Sequence, residues 1–513
     1  LSPGALFRMS RPNNRGSETV NNSDNTASHL ETLDRDLQRF SHLETATQYV
    51  ARPMVAPGIA LAFIMVTGLI AAVSFGGFPV NFVVIAATVF GAYMALNIGA
   101  NDVANNMGPA VGANALTLGG AIAIAAVFET LGALLAGGDV VSTISSGIID
   151  PATVADTQVF IWAMMAALIS AALWINLATW VGAPVSTTHS VVGGVMGAGI
   201  AAAGLSAVNW PTMSAIAASW VISPVLGGVI AAGFLALIKS RIIYRDDKIA
   251  AARRWVPILV GIMVGAFATY LAMKGLSKVI KINLGTAVSL GVVLGIMAWG
   301  IAIPLIRRQS EGLENRNKSL KVLFGAPLVI SAALLSFAHG ANDVANAVGP
   351  LAAIVHASEA GTVTAQVAIP LWVMIVGAFG ISFGLFLFGP KLIRMVGSQI
   401  TKLNPMRAYC VALSAAFTVI VASWLGLPVS STHIAVGGVF GVGFFREWDA
   451  ERRLRNSKLT REPELRIAPE ERRRRKLVRR SHFMTIIAAW VVTVPAAALL
   501  SALVFLFLNS LPV

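Results

Sequence analysis

Eleven stretches of this chain are apolar for long enough to cross a bilayer, and no other feature restricts its fold as severely. They run over roughly residues 54–75, 80–100, 118–138, 158–180, 213–238, 255–273, 284–306, 322–342, 367–389, 406–425 and 485–509. About 20 apolar residues span the hydrocarbon core as a helix. Within lipid only helices and closed barrels satisfy every backbone N–H and C=O. Near-continuous hydrophobicity, rather than alternation, selects the helix. Composition agrees: 56% of the 513 residues are hydrophobic and only 12% are charged, about half the charge of a soluble domain. The predicted class is an all-α polytopic membrane protein. Soluble, disordered and disulfide-scaffold classes are excluded, the last also because Cys410 is the single cysteine.

Two further intervals, Pro184–Gly199 and Pro428–Phe445, are apolar but short, glycine-rich and opened by proline. They belong to an internal repeat. Gly99–Ala110 reads GANDVANNMGPA and Gly340–Leu351 reads GANDVANAVGPL, identical at 9 of 12 positions with an offset of 241. Pro184–Gly199 reads PVSTTHSVVGGVMGAG and Pro428–Gly443 reads PVSSTHIAVGGVFGVG, identical at 11 of 16 with an offset of 244. Two motifs recurring in the same order at nearly one offset indicate duplication.

Charge then orients the copies. The net +14 is unevenly spread: Arg446–Arg480 carries fourteen basic and seven acidic residues, half of the excess, while Ala201–Thr212 carries no charge. By the positive-inside rule the former is cytoplasmic and the latter external. Lys239–Arg254, Arg307–Lys321 and Lys391–Lys402 are basic and cytoplasmic, and the acidic Asp139–Asp156 is external. A threading with hairpins at 158–199 and 406–445, entering from opposite sides, meets these constraints. It leaves Lys274, Lys278 and Lys281 outside, against the trend. Five single spans separate the repeats, an odd number, so the expectation is two inverted-topology repeats with broken helices and two re-entrant helical hairpins. The chain divides into a polar cytoplasmic tail 1–52, an accessory span 54–75, repeat 1 over 80–238, a cytoplasmic loop and linking spans over 239–321, and repeat 2 over 322–513, which includes the basic loop 446–480. The carboxyl terminus is then external. The basic run Arg472–Arg475 suits a loop near anionic headgroups, and nucleic acid is not an expected partner.

Within the spans the formal charges are Asp102, Glu129 and Asp343, with no Lys or Arg away from segment ends. An intramembrane carboxylate costs about 2.5–3.5 kcal/mol and demands a role. Asp102 and Asp343 are counterparts in the GAND repeat, flanked by Asn101 and Asn105 and by Asn342 and Asn346. Gly108-Pro109 and Gly349-Pro350 are expected to interrupt the helix and free carbonyls, completing a hard-oxygen site for a small cation. The alternative is tight packing with a hydrogen-bonded Asp. Ser186, Thr187 and Thr188, and likewise Ser430, Ser431 and Thr432, follow a proline suited to a first helical turn. They set hydroxyls and N–H groups at a helix N-terminus, an anion site or an ordinary N-cap. With no basic residue in the spans, an anion there needs co-bound cations, a route to symport. Glu129 is a coupling residue, a proton carrier or a structural glutamate. His189 and His433 donate to an anion or brace the hairpins. His339, where the first copy has Ile98, reads as packing or asymmetry. A Ser–His nucleophile at Ser186–His189 or Ser430–His433 lacks an orienting acid within the motif, so no enzyme is expected.

GANDVANNMGP and GANDVANAVGP, each followed by PVSTTH or PVSSTH, resemble the inorganic phosphate transporter family of cation-coupled permeases, over about residue 80 to the carboxyl terminus. The resemblance implies inverted repeats, opposed hairpins and a homodimer in the plasma (inner) membrane. It implies that Asn101, Asp102, Asn105, Asn342, Asp343 and Asn346 bind coupling cations and that Ser186, Thr187, Thr188, Ser430, Ser431 and Thr432 grip phosphate. Glu129 matches a family glutamate in FET. Animal members carry a further glutamate where this chain has Ala412. The implied function is phosphate import by cation symport, sodium preferred and no cofactor needed. The alternatives are a proton-coupled permease for phosphate, metal phosphate or sulfate, and, from other classes, an anion channel or a non-transporting sensor.

Overall fold

The computed structural model describes residues 54–73, 80–150, 153–154, 156–181, 185–276, 280–364, 367–395, 403–456 and 480–511. The tail 1–52, Pro184, Lys278 and the basic run Arg472–Arg475 lie outside the described residues. The chain divides into Leu1–Ile59 and Ala60–Val513, and the site lies in the second unit.

Apart from turns and connecting loops, the described residues are helical, with one isolated bridge between Ile149 and Val208. In chain order the helices are α1 (Met54–Val73), α2 (Val80–Asn101), α3 (Val103–Gly112), α4 (Leu118–Ala136), α5 (Gly138–Ser142), α6 (Thr157–Val181), α7 (Thr187–Ala203), α8 (Trp210–Ile238), α9 (Lys248–Lys274), α10 (Leu284–Gln309), α11 (Asn317–Leu323), α12 (Gly325–Asp343), α13 (Ala345–Ala360), α14 (Leu371–Met395), α15 (Pro405–Trp424), α16 (Ser431–Asn456) and α17 (Arg480–Asn509). Eleven stretches are long and apolar enough to span, as the apolar runs require. Short polar residues set where many of them begin. Thr117, Asn209, Asp247, Asn283 and Asn404 each accept a hydrogen bond from the N–H three residues on, satisfying a donor that the helix leaves open. These caps start α8 and α9 ahead of the apolar runs at 213 and 255.

The GAND segments depart from expectation. The runs at 80–100 and 322–342 do not end there, because α3 and α13 extend them into stretches Phe82–Gly112 and Gly325–Ala360. The interruption falls at Asp102 and Val344, one residue long and still right-handed helical in its dihedrals. Asn105 N–H bonds to Asp102 C=O at 3.0 Å, a tightened turn. Pro109 and Pro350 lie inside α3 and α13. A buried proline forfeits one ladder bond and bends a helix whose neighbours support it, so Gly-Pro does not end either helix. At the other end of repeat 2, α16 continues to Asn456 and takes up the first part of the basic loop.

Helices pack across the two halves, on glycines that allow backbone contact. A Cβ on Gly384 would lie 2.8 Å from the Leu96 carbonyl carbon, and one on Gly99 would lie 2.7 Å from that of Ile381. The same pair of contacts recurs between α12 and α4: Gly132 faces Phe337 and Gly340 faces Glu129. Leu96 and Phe337, like Gly99 and Gly340, stand 241 apart, whereas Glu129 and Ile381, like Gly132 and Gly384, stand 252 apart. The hairpins repeat the pattern, with Gly193 and Gly197 of α7 against Val494 and Ala498 of α17, and Gly437 and Gly441 of α16 against Pro224 and Gly228 of α8. Thus α2 corresponds to α12, α4 to α14, α7 to α16 and α8 to α17, and each packs on a helix of the other half. Directions follow from successive contacts. Gly380 faces Ala92 and Ala95, and farther along both helices Gly99 faces the Leu385 nitrogen, so α14 runs with α2. Trp220 bonds to Pro428 and, farther on, Lys239 pairs with Asp449, so α16 runs with α8. Two residues meet their own counterparts: Thr130 hydrogen bonds to Ser382 at 2.7 Å, and the His189 and His433 rings lie 4.8 Å apart.

Candidate functional site

The N-termini of α7 and α16 meet beside the GAND turns, and nearly every polar group there is buried. Ser186 and Ser430 are the N-caps of these helices, their hydroxyl oxygens accepting from His189 N–H at 3.2 Å and His433 N–H at 3.3 Å. Capping uses the oxygen as acceptor and leaves each hydroxyl proton to donate elsewhere.

The hydroxyls that follow turn onto the carboxylates. Thr187 donates to Asp102 Oδ2 at 2.7 Å and Thr432 to Asp102 Oδ1 at 3.3 Å. Ser431 donates to Asp343 Oδ2 at 3.3 Å. The carboxamides cross between halves: Asn105 donates to Thr432 Oγ1 at 2.9 Å, and Asn346 donates to Thr188 Oγ1 at 3.2 Å and Thr187 Oγ1 at 3.4 Å. Asn105 and Asn346 are counterparts, and so are Thr432 and Thr188, so these bonds are one interaction made twice. Thr188 gives its own proton to Val429 C=O at 3.0 Å.

Not every expected residue reaches the cluster's centre. Asn342 spends both ends of its amide on the α15–α16 turn, donating to Ser423 Oγ and Leu427 C=O and accepting from Val429 N–H. Asn101 closes α2 half-buried. His189 turns its ring edge onto Trp220, centroids 3.9 Å apart, and lines an apolar cavity of about 1050 Å³ between α8, α16 and α17. Both of its ring nitrogens are without a hydrogen-bond partner among the described residues.

The residue that pattern-reading assigned to packing or asymmetry is a connector. His339 presents Nδ1 to Glu129 Oε2 and Nε2 to Asp343 Oδ2, each at 2.6 Å. Asn106 donates to Glu129 Oε1 at 3.0 Å. The chain Asn106–Glu129–His339–Asp343 has no polar counterpart, because the equivalent positions are Ala347, Ile381 and Ile98 ahead of Asp102. Asp102, His339 and Asp343 each bring a ligand atom within 4.8 Å of the others, a set able to hold a cation. None of the ion pairs that Lys or Arg makes among the described residues reaches it. Negative charge added to this site has hydroxyls and N–H groups to meet it and, apart from His339, no basic side chain paired with its carboxylates among the described residues.

Comparisons with known proteins agree with this inventory. A family model described as the phosphate transporter family matches residues 98–501. A Helicobacter pylori (strain J99) protein named "Putative phosphate permease" is 45% identical, over 92% of this chain and 99% of its own. A Pyrococcus abyssi protein of the same description is 36% identical over 81% of this chain and 96% of its own. A solved structure described as the sodium-dependent phosphate transporter superposes with a TM-score of 0.75 at 34% identity, covering 84% of this chain and all of that one.

Proposed function

This chain belongs to the phosphate transporter family, a family of membrane transporters and not of enzymes, and from that premise and the site's geometry we propose that it imports inorganic phosphate by sodium symport through alternating access. The observation that carries the reading is the pair of hydroxyl-bearing helix N-termini meeting at two buried carboxylates, with no Lys or Arg among the described residues paired to them. On this reading Ser186, Thr187, Thr188, Ser430, Ser431 and Thr432 grip phosphate through O–H donors and the helix N-terminal fields. Asp102 and Asp343, with Asn105 and Asn346, hold the coupling cations, and Asn101 and Asn342, expected from the sequence to share in this, stand off from the centre. Sodium is favoured because the structural neighbour is described as sodium-dependent and because the donors are carboxylate and amide oxygens, ligands suited to hard cations.

The inverted arrangement of the repeats is supported by the parallel packing of α2 with α14 and of α8 with α16. Each pair joins a helix to the counterpart of its own chain neighbour. If successive spans α2 and α4 run oppositely, then α14, the counterpart of α4, runs against α4 as well. Re-entrant hairpins α6–α7 and α15–α16, a cytoplasmic amino terminus, an external carboxyl terminus, a homodimer and an inner-membrane location complete the proposal.

The test is uptake of radiolabelled phosphate into proteoliposomes under an imposed sodium gradient and, separately, a proton gradient. Concentrative uptake under sodium alone is expected. Uptake driven only by protons would overturn the coupling ion, and uptake of sulfate in place of phosphate would overturn the substrate.

A further inference from the structure

We infer that cation and anion are linked in this site by competition for hydroxyl protons, with Asp102 as the competitor, and that His339 withdraws Asp343 from the contest. The inference rests on the hydroxyl motifs being the phosphate grip. Each threonine hydroxyl has one proton to give. Thr187 and Thr432 give theirs to the two oxygens of Asp102, at 2.7 and 3.3 Å. Phosphate oxygens also need donors, and one proton cannot serve both acceptors. The carboxylate and the anion therefore exclude each other twice, by shared donors and by like charge. A cation on Asp102 supplies what the hydroxyls supplied, and their protons are then free to turn to phosphate. Asn105 holds the Thr432 oxygen from behind and Asn346 holds the Thr187 oxygen, so the acceptor is what changes while the oxygens stay.

Asp343 stands differently. One hydroxyl, Ser431, reaches it at 3.3 Å, while His339 Nε2 lies 2.6 Å from the same oxygen with Glu129 and Asn106 behind it. Asp343 thus has a partner outside the phosphate grip, and in the mirrored place Asp102 has Ile98. The competition for hydroxyl protons, and with it the larger part of the sodium dependence of phosphate binding, is therefore centred on Asp102.

Equilibrium binding of radiolabelled inorganic phosphate to the full-length protein in micelles, with sodium or with an inert organic cation in its place, tests this. In the wild type sodium raises phosphate affinity. Asp102→Ala is expected to bind phosphate without sodium at least about tenfold more tightly than the sodium-free wild type, one charged hydrogen bond's worth, and to respond little to added sodium. Asp343→Ala, which removes a cation ligand but frees a single contested hydroxyl, is expected to lose less of the sodium response than Asp102→Ala. An Asp102→Ala protein, folded by size exclusion, that binds no phosphate without sodium overturns the inference, as does equal loss of the response in both variants. Should Asp102→Ala not fold, Thr187→Val decides: removing one contested proton shrinks the sodium response by about tenfold, and an unchanged response overturns the inference. A wild type that binds phosphate in neither buffer would instead bring down the phosphate-grip reading itself.

Discussion

Gly340→Ala is a small change with a calculable consequence. A Cβ at this position would lie 2.8 Å from the carbonyl carbon of Glu129 and 2.9 Å from its Cα. Carbon atoms rest at about 3.5–4.0 Å and the Glu129 carbonyl oxygen lies nearer still, so α12 and α4 must part by at least roughly 0.7 Å. Neither side can yield cheaply, because the obstacle is backbone. Overpacking of this kind costs about 1–3 kcal/mol. The functional effect should exceed the structural one, since His339 adjoins Gly340 and its 2.6 Å approach to Glu129 would stretch toward roughly 3.3 Å, beyond a good hydrogen bond. The expected result is a lower melting temperature in micelles and phosphate uptake reduced about tenfold or more, the order of loss that sub-ångström misplacement brings. Gly233→Ala is the control, because nothing lies within 4 Å of its added methyl. There alanine's better helix propensity should stabilise by up to about 1 kcal/mol and leave uptake alone. A Gly340→Ala protein with wild-type melting and uptake would refute backbone contact between α4 and α12 at this point.

Other perturbations follow from the same geometry. His339→Ala leaves two buried carboxylates without their shared partner and should cost about 3–5 kcal/mol, read as a fall in melting temperature that His339→Gln partly restores; equal melting of His339→Ala and wild type would remove the connector. At the far end of α16, Asp449 pairs with Lys239 at 2.7 Å and accepts from the Tyr244 hydroxyl. Burial works against this charge, but the bonds from Lys239 and Tyr244, and the charges of Lys239 and Arg453, hold the Asp449 carboxyl below its ordinary value. A depressed folded-state pKa stabilises above the unfolded value and is lost as pH falls through the folded one. Asp449→Asn should therefore melt lower by about 1 kcal/mol at pH 7, with the difference closing below about pH 4; a gap that stays constant through that range would count against the clasp.

Much of this architecture is legible in the chain because its signals are long or doubled. Spans of about twenty apolar residues need no periodicity to be seen, and the starts of α8 and α9 are misread only where a cap such as Asn209 or Asp247 lies outside the apolar run. That the hydroxyl and carboxylate motifs act together is legible because each occurs twice and in the same order, but the bonds of Thr187 to Asp102 and of Ser431 to Asp343 are seen only in the structure. Repetition is also the blind spot. Asn106, Glu129 and His339 have apolar counterparts, so a search for pairs leaves the role of Glu129 open, reads His339 as packing or asymmetry and passes over Asn106. Their contacts join residues 23 and 210 apart in sequence, with no local pattern to announce them. The break in the GAND helices is misplaced for another reason: proline is read as a stop, but in a helix enclosed by others the lost bond at Asn105 or Asn346 only bends the ladder.

The unrepeated residues bear on how such a transporter would cycle. In a protein whose inverted halves were identical, the outward- and inward-facing forms would be one structure with the halves exchanging roles, and the two would have equal energy. Here the grip is nearly symmetric, with Asn105–Thr432 answered by Asn346–Thr188. The polar chain is not, since Asn106, Glu129 and His339 stand opposite Ala347, Ile381 and Ile98. It joins α3 and α4 of one half to α12 of the other through the 2.6 Å contact of His339 with Glu129, while the His339–Asp343 contact lies within α12. A conformational exchange that carried α12 into the environment of α2 would have to break the His339–Glu129 contact, and Ile381, in the place of Glu129, offers no replacement. On the proposed mechanism the form that keeps this contact is therefore the lower in free energy, and the bias between the two faces resides in Asn106, Glu129 and His339.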